Sequence, residues 1–168
     1  EEVYGNMKYD TAKYGPVLTK AEYVYGDSVA SYTPVYVRID GNFEICTIEN
    51  LAVKCGGDHW VKCVEEGKQE KEFCELKNNV ETWSDKGWTR LFRVIRHALA
   101  PHKKMIRILT HTGMVDVTDD HSLILENGTE ISPKDVTIGT ELLHHSLPGI
   151  DYNLESKITE EEAKLLLG

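Results

Sequence analysis

The chain is short of positive charge: 19 lysines and arginines stand against 28 aspartates and glutamates, for a formal net charge of −9 over 168 residues. That balance argues against nucleic acid or an anionic membrane as a direct partner and favours a basic one. Long apolar runs are absent, and nothing approaches the ~20 residues that a membrane-spanning helix needs. The opening Glu-Glu-Val-Tyr is unlike a signal peptide. An intracellular, reducing compartment, cytoplasm or nucleus, is therefore expected. Cysteine is scarce and confined to Cys46, Cys55, Cys63 and Cys74. In a reducing compartment these are expected as free thiols rather than bridges. A zinc set of Cys55, His59, Cys63 and Cys74 contains no C-x2-C pair and would reach across a charged segment. No metal is assigned, and packed or exposed cysteines are the expectation.

What is present is ordinary for a soluble domain: 40% apolar and 28% charged residues, at a length that allows one core with room for an appendage. Three textures follow one another. Residues 1–27 are rich in tyrosine, glycine and lysine and end in a strand-like run, Ala21 to Tyr25. Residues 28–147 carry short β-like runs separated by Asp-Gly, Gly-Gly, Lys-Gly and Asn-Gly corners. Examples are Val35 to Ile39 before Asp40-Gly41, Thr89 to His97 after Gly87, and Met105 to Leu109 before Thr112-Gly113. Such spacing predicts a mainly β fold with tight turns. Ile48 to Lys54 reads as one helical turn or two, and the charged stretch Glu65 to Glu75 as a solvated loop or ribbon. Residues 148–168 form a linker and the start of a helix, with Thr159 as N-cap and Glu160 to Glu162 in the first turn.

One stretch carries chemistry. Thr118-Asp119-Asp120-His121 lies between two β runs, Met114 to Val117 and Ser122 to Leu125. A threonine and a histidine three apart at a strand end can aim a hydroxyl and an imidazole at one small volume, and histidine shuttles protons near neutral pH. The plainer alternative is a turn-capping histidine and a strand threonine. The remaining histidines (His59, His97, His102, His111, His144, His145) have no comparable neighbour and read as surface or packed residues.

A second stretch, "YVYGDSVASYTPVYVRIDG" (residues 23–41), runs a finished strand and corner into a small Ser-Val-Ala-Ser segment that looks flexible. Tyr25-Gly26-Asp27 resembles the first half of the YGDTDS palm motif of family B DNA polymerases. Ser28 to Val35 resembles the opening block of an intein, whose first residue is a serine or cysteine nucleophile. "GMVDVTDDHSLIL", Gly113 to Leu125, is similar to the second conserved intein block, with its T-x-x-H signature at Thr118 and His121. "ISPKDVTIGTELL", Ile131 to Leu143, is similar to the segment that follows it. The resemblance covers residues 28–168.

The resemblance implies the horseshoe-shaped β fold of intein and hedgehog-type (HINT) domains, preceded by a polymerase N-extein at residues 1–27. It implies that Ser28 attacks the carbonyl of Asp27 in an N-to-O acyl shift, with His121 protonating the departing nitrogen and Thr118 positioning the Asp27–Ser28 bond. Ser31 could assist, although a plain turn hydroxyl is the stronger reading. No cofactor is implied. No His-Asn pair follows His121, and "ITEEEAKLLLG" resembles the approach to an endonuclease helix. The chain is thus expected to be the N-terminal part of a split intein, active once in protein splicing. Its expected partner is a basic C-terminal half that carries the downstream polymerase extein, and a virus-infected host cell is a plausible setting. The alternatives are a truncated cis-splicing intein, an autoprocessing domain that uses a small nucleophile, a non-catalytic insertion, and a metal-binding module.

Overall fold

Tight, glycine-bearing corners divide the chain into short strands. In chain order these are β1 (Lys8–Thr11), β2 (Val17–Thr19), β3 (Tyr23–Tyr25), β4 (Val29–Ala30), β5 (Pro34–Ile39), β6 (Asn42–Thr47) and β7 (Val61–Cys63). There follow β8 (Lys71–Ser84), β9 (Gly87–Ala98), β10 (Met105–Leu109), β11 (Met114–Thr118), β12 (Leu123–Ile124), β13 (Glu130–Ile131) and β14 (Glu141–His144). One helix, α1 (Ile48–Gly56), lies between β6 and β7, and a 3-10 turn at Pro133–Asp135 precedes β14. The computed structural model describes residues 8–12, 17–19, 21–26, 28–64, 66–84, 86–144 and 148. The expected helix at Thr159 lies outside the described residues.

Ten strands build one sheet in the order β2-β10-β11-β4-β3-β9-β8-β5-β6, with β7 paired to β8; β1 pairs with β14, and β12 with β13. The fold is mainly β, and its large sheet curls into a half-barrel compatible with the expected horseshoe. Register follows from the corners. At the β5–β6 turn, Asp40 (φ 50°) and Gly41 (φ 88°) both sit in the left-handed region, as a two-residue hairpin loop requires. That loop places Ile39 opposite Asn42 and Val37 opposite Glu44.

Helix α1 is longer than the turn or two expected. The Thr47 side chain accepts from the Asn50 amide at 3.1 Å, Glu49 lies in the first turn and Lys54 in the last, and Gly57 closes the end at φ 67°. The helix lies hard against β8. A Cβ on Gly56 would stand 2.2 Å from Cys74 Sγ and 2.9 Å from the Glu75 carbonyl, so only glycine fits. Leu51, Ala52 and Cys55 join Tyr25, Val37, Val80 and Val94 in the main core. A second cluster gathers Ala12, Ile106, Ile108, Val136 and Leu142, and a small third one consists of Val24, Ala30 and Met105.

This packing overturns one expectation and sharpens another. The Ser-Val-Ala-Ser segment is not a flexible connector, because Val29 and Ala30 form β4, inserted between β3 and β11. The charged stretch Glu65 to Glu75, expected as a loop or ribbon, is both: residues 66–70 are an exposed turn, and from Lys71 the chain is strand β8, with β7 paired to its start and Glu72 directly opposite Arg96, their side chains 2.8 Å apart. Opposite charges facing each other across a ladder favour a strand over a loop. Residues before Ser28 are woven into the same sheet, since β2 pairs with β10 and β3 lies between β4 and β9.

The four cysteines are free; Cys55 and Cys74 are buried, and Cys63 is exposed. Burial pushes the Cys46 and Cys55 thiols up, away from the reactive thiolate form. Among the described residues, no helix is long and apolar enough to cross a membrane.

Candidate functional site

Ser28 sits in the loop between β3 and β4. Tyr25 pairs with Val29, which leaves residues 26–28 to turn the chain. The Gly26 amide is fixed by the Ile95 carbonyl at 2.7 Å. Gly26 turns at φ 55°, and Ser28 itself adopts φ 74°. The other described non-glycine residues in this region are Asp40 and Asp58, of a type that tolerates it because a short polar side chain bonds locally. A left-handed serine costs about 1–2 kcal/mol, so the backbone at Ser28 is strained. Asp27 lies outside the described residues.

Strand β4 meets β11 at one register position, Val29 opposite Val117. The next bond along is the one that matters here: the Thr118 amide donates to the Ser28 carbonyl at 3.0 Å. The chain then turns at once, with the His121 amide donating to the Thr118 carbonyl at 3.1 Å. The Asp119 amide donates to the Lys104 carbonyl at 2.9 Å, and the Ser132 hydroxyl donates to the Asp119 carbonyl at 3.0 Å, so the turn is held from both sides. Ser28, just before β4, is thereby brought against Thr118 at the end of β11, and His121 is attached to Thr118 through one turn.

The Thr118 side chain is 2% exposed. Neither its hydroxyl oxygen nor Asp119 Oδ1 has a hydrogen-bond partner among the described residues. Such buried polar atoms are costly unless a water or another group meets them, and the Thr33 hydroxyl, away from this turn, is in the same position. Asp120 is held below the usual carboxylate range by the Lys103 ammonium that it pairs with. The nearby Thr118 hydroxyl adds to that shift without making a hydrogen bond of ordinary geometry. A shallow open groove of about 470 Å3, with Leu18, Leu99 and Lys104 in its walls, reaches Met105, the residue paired with Thr118.

Ser31 is not part of this constellation. Its carbonyl accepts from the Glu49 amide at 3.2 Å, at the start of α1. His111 is exposed in the β10–β11 loop, at the far end of these strands from Thr118. Cys55, His59, Cys63 and Cys74 do not converge, and no cluster among the described residues is arranged to hold a metal ion.

Asp116 was missed by the sequence reading. It is 1% exposed, accepts from Arg107 Nε at 2.8 Å and Arg107 Nη2 at 2.9 Å, and also accepts from the Tyr32 hydroxyl. Burial pushes its carboxyl up, and the two-pronged guanidinium is what makes a charge tolerable there. The available signal was a lone aspartate inside the apolar run Met114 to Val117, on the same strand face as Thr118.

Relatives of this chain are named DNA polymerases. A DNA polymerase of Acanthamoeba polyphaga mimivirus is 41% identical over 146 residues, which is 85% of this chain but 8% of that protein. One from Thermococcus aggregans is 31% identical over 149 residues, 77% of this chain and 8% of its own length. One from Thermococcus litoralis is 34% identical over 106 residues, 60% of this chain and 6% of its own. Matches that fill most of this chain and so little of each relative are consistent with an insertion in a polymerase. No family model matches the chain. No solved structure matches it.

Proposed function

We propose that this chain is the N-terminal part of an intein carried within a family B DNA polymerase, and that Ser28 starts its excision. The single observation that carries the reading is the Thr118 amide on the carbonyl of a left-handed Ser28, with His121 one turn beyond. An amide is a poor electrophile and a serine hydroxyl a weak nucleophile, so the site must strain the bond and protonate its nitrogen. In the step itself, Ser28 Oγ bonds to the Asp27 carbonyl carbon and the Asp27–Ser28 C–N bond breaks. The hydroxyl proton is replaced on balance by one delivered to the Ser28 nitrogen, which leaves an ester and a free amine. His121 acts as the acid for that nitrogen, and the unpartnered Thr118 hydroxyl is suited to hold the scissile peptide.

Completion of splicing needs a terminal asparagine and a downstream nucleophile, and residues 1–168 contain no His-Asn pair. The partner is a C-terminal half, basic to match the −9 here, that ends in His-Asn and continues as Thr-Asp-Ser to restore the polymerase motif. Its downstream nucleophile takes the acyl group, and its asparagine cyclises to release the intein. The test is to mix the chain with that half and follow both by mass spectrometry. Joined exteins are the expected product. An intact Asp27–Ser28 bond would leave a non-catalytic insertion, whereas cleavage by an added small nucleophile with no joined exteins on mixing would leave an autoprocessing domain.

A further inference from the structure

We infer that Asp116, with Arg107 and Tyr32, is the tether that sets the position of Ser28 against Thr118. The inference deepens the proposed reaction and rests on it for its functional consequence. Strand β4 has only two residues, and its hold on β11 is one paired position plus the bond from the Thr118 amide to the Ser28 carbonyl. A contact so short frays readily unless something beyond it holds the chain. The Tyr32 side chain supplies that hold two residues past the end of β4, where its hydroxyl donates to Asp116 on β11.

Asp116 and Thr118 are two apart on one strand and so share a sheet face. Along β11, the Ser28 bond at Thr118 and the Tyr32 bond at Asp116 lie on either side of the Val29–Val117 pair. Arg107 lies directly opposite Asp116 on β10 and grips the carboxylate with two bonds, which fixes the acceptor that Tyr32 uses. On the other side of the loop, the buried Tyr25 anchors β3 to β9. Ser28 is thus held between two tyrosines, and strain at φ 74° persists only because both ends are tied down. Among the described residues Asp116 bonds Arg107 and Tyr32 and not Ser28, so its role is that of a positioning residue.

The test uses the whole chain with Tyr32→Phe, which keeps the ring and removes the hydroxyl, and Asp116→Asn beside it. Hydrogen exchange of the Thr118 amide is read against that of Val94, and ester at Ser28 is trapped with hydroxylamine. Losing a hydrogen bond to a charged group should speed Thr118 exchange by roughly tenfold and leave Val94 unchanged. Ester formation should slow by a similar factor. Unchanged Thr118 exchange in Tyr32→Phe overturns the tether. Faster exchange with an undiminished ester rate overturns the positioning role. If the unsubstituted chain forms no ester, the proposed reaction fails, and the exchange ratio alone decides whether the tether exists.

Discussion

The amide of Thr118 and the carbonyl of Ser28 are joined at 3.0 Å although the two residues lie 90 positions apart in the chain. That one bond puts a strained serine beside the strand that ends in the Thr118–His121 turn.

Replacing Ser28 by alanine should abolish ester formation and all ligation, because the attacking oxygen is removed. Ser28→Cys should retain activity, since a thiol is a better nucleophile, although its thioester is less stable. Intact-mass measurement of the mixed halves reads both, and spliced product from Ser28→Ala would overturn the assignment.

His121→Ala should slow the first step by about 10²- to 10⁴-fold, the worth of a positioned general acid. His111→Ala, exposed at the other end of the β10–β11 hairpin, should change the rate little. Equal losses in the two variants would mean that the hairpin has been disturbed rather than a proton donor removed.

Gly56→Ala should destabilise the protein by about 1–3 kcal/mol, because overpacking forces backbone or Cys74 to shift. The added Cβ would meet Cys74 Sγ at 2.2 Å, with the Glu75 carbonyl behind it. A denaturation midpoint equal to or above that of the unsubstituted chain would refute the tight contact of α1 with β8.

Asp120 is held below its ordinary pKa by Lys103, so its carboxylate contributes stability above the unfolded carboxylate range and loses it as pH falls through the folded value. The window opens below about pH 4. Asp120 is exposed and Lys103 partly so, and solvent screening keeps the contribution of the pair small. The melting temperature of Lys103→Ala should lie slightly under that of the unsubstituted chain at pH 6, and the gap should close on acidification. A gap that widens towards pH 3 would contradict the sign.

Association with a basic C-terminal half should slow as salt rises, because the screening length falls from ~10 Å at 0.1 M to ~3 Å at 1 M. Stopped-flow mixing across that range reads the on-rate. A rate indifferent to salt would discard steering by the −9 charge.

What the sequence determined by itself was local. Asp40-Gly41 specified a hairpin because few dipeptides accept two left-handed residues in a row, and β10 falls where its apolar run ends at a turn. That Thr118 and His121 stand one turn apart follows from their three-residue spacing. Ser28 stands out in the sequence only through the interrupted motif around it, and its chemical role is the proposal made above. What tertiary structure decided is long-range. The strand character of Val29 and Ala30 comes from their neighbours β3 and β11, not from their own propensity. The strand beginning at Lys71 exists because Arg96 and Ile95 face Glu72 and Phe73 across the ladder, which a window of charged residues does not reveal. Asp116 acquired its place when Arg107 and Tyr32 closed over it, 9 and 84 residues away. A side chain's neighbours along the chain set its turn, but a buried carboxylate depends on partners that only the folded sheet brings within reach.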